Sequence, residues 1–164
     1  MIGFGAIPRP LRRLALEAAY RLRLRLLRLT GLPTSGVKVM LFNREGELLL
    51  IRNSYGRRDL WVFPGGGIAR GEPAEAAARR EVREEVGCEV ANLRYLSTHL
   101  SADEGKRDTI HLFAADAVGA VVPDGVEVEE ARFFPLDALP PEISDAALRR
   151  ISEYRGEEKA LGGW

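Results

Sequence analysis

From Gly36 onward the chain falls into short apolar-rich runs divided by turn residues. Val37 to Phe42 and Glu47 to Arg52 flank Asn43-Arg44-Glu45-Gly46 and read as a hairpin. Leu60 to Phe63 reads as a short third strand that stops at Pro64, where a ladder loses a donor. Val90 to Thr98, Thr109 to Ala115 and Val128 to Phe134 read as further strands. Two segments carry helical spacing: Pro73 to Val86, ended by Gly87, and Asp145 to Tyr154. A mixed sheet with few helices predicts an α+β fold, or an α/β/α sandwich.

Residues 9–30 differ from everything that follows. Leu11, Leu14, Ala15, Ala18 and Leu22 recur at helical spacing, whereas Arg21 to Leu26 alternate arginine and leucine at a strand period. This basic amphipathic segment reads either as an element docked through its leucines on the domain or a second subunit, or as one lying on anionic lipid or nucleic acid. The expected organisation is an N-terminal basic helical extension over 1–33, one domain over 34–156, and a loose C-terminal tail over 157–164 ending in Trp164.

Composition narrows the picture only a little. The 24 basic residues balance the 24 acidic ones, so net charge carries no sign of a nucleic-acid surface. A single cysteine, Cys88, excludes an internal disulfide and suits a reducing compartment. With no apolar run long enough to span a bilayer and no secretory h-region, the expected location is the cytoplasm.

The chemistry concentrates between Phe63 and Cys88, where three glycines lead into a helix bearing Arg80, Glu81, Glu84 and Glu85. Successive helical side chains turn by about 100°. Ala74, Ala78, Val82 and Val86 therefore form an apolar stripe, and Glu81 and Glu85 border it. A merely solvated helix laced by pairs such as Arg80 with Glu84 predicts acids on the opposite face, which Arg79 and Arg83 occupy instead. Acids beside a buried seam need charge compensation from a metal or from arginine.

The same stretch resembles the Nudix box: glycine, five residues, glutamate, seven residues, then Arg-Glu-apolar-any-Glu-Glu-any-Gly-apolar. Gly66, Glu72, Arg80, Glu81, Val82, Glu84, Glu85, Gly87 and Cys88 fill it without a departure. The resemblance implies a Nudix-like sandwich and hydrolysis of a pyrophosphate bond in a nucleoside diphosphate linked to another group. It further implies Mg²⁺ or Mn²⁺ held by Glu81, Glu84 and Glu85 with the Gly66 carbonyl. Arg80 would hold a glutamate in place, Glu72 would support the loop, and Glu84 is the expected base, rivalled by an acid from a later loop. For that acid the candidates are Glu127, Glu129 and Glu130, with Asp103 and Glu104 as others, and Glu129 and Glu130 are the ones expected to matter for turnover.

Tyr55, Arg57, Arg58 and Trp61 are candidates for stacking and phosphate contacts. His99 and His111 read as sheet residues, and Lys106, Arg107 and Asp108 as turn residues. Family markers for ADP-ribose, diadenosine polyphosphate and NADH hydrolysis are absent, the first two from the neighbourhood of Asp103 and Gly105. The partners expected are a small nucleoside diphosphate derivative, a second copy of the chain, and a membrane surface at residues 9–30. Nucleic acid enters only as a capped or 5′-phosphorylated RNA substrate. The competing reading is a nucleotide-sensing Nudix-like binding domain without catalysis, against which the intact acid set argues.

Overall fold

The computed structural model describes Ala15 and residues 34–101, 108–157 and 163–164. Residues 9–30, apart from Ala15, and the candidates Asp103, Glu104, Lys106 and Arg107 lie outside the described residues. The elements are β1 (Thr34–Phe42), β2 (Leu48–Asn53), α1 (Ala74–Val86), β3 (Glu89–Ser101), β4 (Asp108–Val118), β5 (Val128–Phe134) and α2 (Asp145–Tyr154). Five strands form one sheet in the order β3-β4-β1-β2-β5, with β1 parallel to β4 and the other pairs antiparallel.

Strand alternation gives the sheet two apolar faces. Val37, Val39, Leu41, Leu49, Ile51, Phe113 and Ala115 pack with Ala77, Ala78, Val82 and Val86 of α1. Met40, Phe42, Leu48, Leu50, Leu112 and Ala114 pack with Trp61, Phe63 and α2 through Ala147 and Ile151. The result is the mixed-sheet α/β/α sandwich expected from the sequence.

Leu60 to Phe63 does not form the expected strand. β1 and β2 register only at Phe42↔Leu48, beside their turn, and then part. Residues 61–68 enter the gap: Val62 exchanges two hydrogen bonds with Ile51 of β2, at 2.9 and 3.0 Å. Farther along, Pro64 and Gly66 accept from Val39 and Val37 of β1 at 3.0 and 2.9 Å, and Ile68 N–H donates to Ser35 at 2.9 Å. The segment is thus a wedge that changes partners, too short on either side to be a strand. It carries the glycines into the plane of the sheet.

Gly65 explains why that run needs glycine, since its φ is +132° and a Cβ there would lie 2.2 Å from the Val37 carbonyl oxygen. The end of the chain is not loose at Gly163 and Trp164. Gly163 bridges Leu100, Trp164 N–H donates to the Leu100 carbonyl at 3.0 Å, and the indole packs on the second apolar cluster.

Candidate functional site

Helix α1 begins after Pro73 and ends at Gly87, whose left-handed φ of +68° lets its N–H reach the Arg83 carbonyl. Its buried arc contains Ala77, Ala78, Val82, Glu85 and Val86, so Glu85 lies within the apolar seam and not at its edge. The Glu81 side chain is 13% exposed and that of Glu84 61%. One helix face therefore grades from a buried acid to a solvated one.

Burial drives Glu85. Loss of water pushes its pKa up to about 7, against the pull of Lys38 and of the Gly65 N–H, which donates to Oε2 at 2.7 Å; Glu81 and Glu127 push it higher still. A buried carboxylate so poorly compensated is a place where added positive charge is stabilising.

Arg80 organises the rest. Its Nε and Nη2 hold the two oxygens of Glu72 at 2.8 and 2.9 Å, while Nη2 also donates to the Gly67 carbonyl at 2.9 Å. Nη1 reaches Glu81 at 2.7 Å and Glu84 at 3.2 Å. Glu72 accepts in addition from the Ala69 N–H at 2.9 Å. The Arg80 hydrogen bonds, and next that of Ala69, hold the Glu72 carboxyl down at about 2. A planar fork with five donors suits this task, and the loop and the helix are locked through it.

Glycine loop and helix meet at Gly66, where a Cβ would lie 2.6 Å from Glu81 Oε2. Above them opens a cavity of about 500 Å³, lined by Asn53, Tyr55, the Gly65–Ala69 loop, Arg80, Glu81, Glu84, Glu85, Asp124 and Glu127. Five acids face one arginine there. Among the described residues no three of the acids already converge as a ligand shell, because Glu81 and Glu84 lean on Arg80 and Glu85 on Gly65. Even so, hard oxygen donors, a desolvated Glu85 and the space left by the missing Gly66 Cβ fit a hard divalent cation.

The box residues Gly66, Arg80, Glu81, Glu84 and Glu85 all line the cavity, and Glu72 braces it from behind. Of the residues expected on the substrate side, Tyr55 lines the cavity, whereas Arg57, Arg58, Trp61, Glu129 and Glu130 lie off its lining. Trp61 is 4% exposed, edge-on to Phe134 and covered by Arg52 at 4.8 Å, so it has no open face. Arg58 lies 3.9 Å from Glu129, and Glu130 pairs with Arg52 and Arg132 at 3.7 and 3.0 Å. Glu127 is the acid of that stretch that lines the cavity, where it accepts from the Tyr55 hydroxyl at 3.0 Å.

A bulge explains this sorting. Arg52 pairs with Glu130 but Asn53 with Val128, so Glu129 is the extra residue and the alternation resets before Glu127. His99 is buried against Arg150 and Ser97, with burial lowering its pKa, and it lies outside the cavity. His111 bonds Thr98 at 2.9 Å. The cavity-lining residues that sequence reasoning missed are Asn53 and Asp124; it also passed over Lys38, a charge inside the apolar run VKVMLF whose Nζ donates to the Phe63 and Gly65 carbonyls behind the glycine loop.

A model of the NUDIX domain matches residues 32–154. The NAD-capped RNA hydrolase NudC of Pseudomonas aeruginosa is 38% identical over 114 residues, which cover 68% of this chain and 40% of that protein. An RNA pyrophosphohydrolase of Gluconobacter oxydans is 42% identical over 57 residues, covering 35% of this chain and 34% of that protein. A crystal structure of a MutT NUDIX hydrolase from Burkholderia pseudomallei superposes with a TM-score of 0.67 at 26% identity, covering 74% of this chain and 97% of the other. No helix among the described residues is long and apolar enough to cross a membrane.

Proposed function

Because the chain belongs to the Nudix family, we propose that it is a metal-dependent pyrophosphohydrolase acting on a nucleoside diphosphate linked to another group. The observation that carries this reading is the acid-lined cavity: an anionic diphosphate enters five carboxylates only when cations neutralise them. Glu81, Glu84 and Glu85 would hold Mg²⁺ or Mn²⁺; the Gly66 carbonyl expected beside them faces β1, where it accepts from the Val37 N–H at 2.9 Å. Such an ion, when bound, neutralises the diphosphate and lowers the pKa of the attacking water.

The remaining work falls to the chain. Arg80, fixed by Glu72, keeps Glu81 against the glycine loop. Glu84, the most exposed of the three helix acids, takes the proton of the attacking water, and Glu127 stands across the cavity as the rival base. Tyr55 and Asn53 line the wall open to the rest of the substrate. Residues 34–156 form the catalytic unit, 1–33 a basic extension available to a second copy or a membrane surface, and 157–164 a tail. A buried thiol such as Cys88 is at home in the cytoplasm, where we place the protein.

The chain spans 40% of the length of the NudC relative, whose name gives NAD-capped RNA as its substrate. Capped RNA therefore joins dinucleotides, nucleoside diphosphate sugars and nucleoside triphosphates in the test panel, run with Mg²⁺ or Mn²⁺ beside Glu84→Gln and Glu85→Gln. Metal-dependent cleavage of one class that both variants lose supports the enzyme. Tight nucleotide binding with no cleavage of any compound makes the protein a sensor instead.

A further inference from the structure

Lys38 projects from β1, and its Nζ donates to the carbonyls of Phe63 and Gly65 at 2.9 and 2.7 Å. Along an extended segment carbonyls alternate in direction. Those of Pro64 and Gly66 face β1 and accept from the Val39 and Val37 N–H groups, so those of Phe63 and Gly65 face away. Main chain alone serves the first pair whatever the sequence. A side chain at position 38 that wraps over the wedge serves the second. Three successive residues of β1 thus satisfy four successive carbonyls of the loop that carries Gly66.

The charge on Lys38 is placed as deliberately as its donors. It is half-buried; burial lowers its pKa, and the charges that oppose this are Glu85 first, then Glu81 and Asp108. Two of these three are the inner acids of the cavity. Position 38 lies among fully buried apolar neighbours in β1, and an apolar side chain would serve folding there at no desolvation cost.

We propose that Lys38 is a positioning residue of the site, a tethered cation that fixes the Phe63–Gly66 ribbon and supplies part of the positive charge its carboxylates require. The proposal rests on the metal reading above. Its consequence is specific: a divalent ion sharing Glu81 and Glu85 meets the repulsion of Lys38, so the site holds that ion more weakly than it would without the lysine. A packing role alone predicts the reverse, since a loosened glycine loop binds metal less well.

The test is Mn²⁺ binding to the full-length chain, read from the electron paramagnetic resonance of free Mn²⁺, for wild type, Lys38→Met, Lys38→Gln and Lys38→Arg. Met keeps the length and loses both donors and charge. Gln keeps an N–H donor and loses the charge, which covers the case of a Met variant that does not fold. Met and Gln are expected to bind Mn²⁺ about tenfold more tightly, with kcat reduced and KM unchanged, while Arg binds as wild type does. Met or Gln variants that bind as wild type does, or more weakly, overturn the role of Lys38 alone. A wild-type chain that takes up no Mn²⁺ overturns the metal reading beneath it.

Discussion

Gly66 and Glu81 compete for one volume: a Cβ on the glycine would lie 2.6 Å from Oε2 of the glutamate and 2.7 Å from its Cδ. The clashing atoms belong to the far end of a flexible side chain, so Gly66→Ala displaces the carboxylate and leaves the backbone in place. The expected cost in stability is about 1 kcal/mol, with metal affinity and kcat both falling. Gly65→Ala is the contrast. There the Cβ meets the Val37 carbonyl at 2.2 Å with φ at +132°, and neither backbone can yield. It should cost about 3 kcal/mol. Denaturant melts beside Mn²⁺ titrations separate the two; a Gly66→Ala chain that keeps full metal affinity would remove the proposed contact.

Glu85 makes stability depend on pH in an unusual direction. Its folded pKa of about 7 exceeds the ordinary 4.5, so the folded state binds the proton more tightly than the unfolded chain does. The associated stabilisation is complete below about pH 4.5 and is lost as pH rises through about 7. Its full size is about 3 kcal/mol. In a metal chelator, unfolding free energy should therefore fall between those pH values, and Glu85→Gln should flatten the profile and raise the melting temperature at pH 8. A variant profile with the wild-type slope would show that another group titrates there.

The helix and its acids were legible because both obey a local period. Ala78, Val82 and Val86 repeat every four residues, and Glu81 and Glu85 fall beside them by geometry alone. The wedge at 61–68 was not legible, since it exists only because β1 and β2 part after Phe42↔Leu48, a relation between distant residues. Lys38 was missed for the same reason: the carbonyls it serves lie 25 and 27 residues on. Glu127 stood among several acids in one stretch, and the bulge that singles it out depends on pairing with β2.

Arg80 touches Glu72, Glu81, Glu84 and Gly67 through three nitrogens in one plane. Lysine keeps the charge but offers one point in place of a fork. Arg80→Lys should lower kcat by about tenfold or more while the fold persists, because Glu81 loses its 2.7 Å anchor and the loop its brace to Glu72. Steady-state rates with circular dichroism decide this, and wild-type kcat would reduce Arg80 to an ordinary surface pair.

The later acids can be ranked by where their side chains end. Glu127 reaches the cavity and the Tyr55 hydroxyl, and it acts on Glu85 electrostatically. Glu129 lies near Arg58, and Glu130 bridges Arg52 and Arg132, all away from the cavity lining. Geometry thus moves the turnover effect expected of Glu129 and Glu130 toward Glu127. Glu127→Gln should lower kcat by about a hundredfold if the residue takes or relays the proton of the attacking water, and by far less if Glu84 is the base. Glu84→Gln measured in parallel gives the converse. Glu129→Gln or Glu130→Gln causing the larger loss would mean that β5 shifts register when substrate binds, bringing acids now held by Arg58 and Arg52 into the cavity.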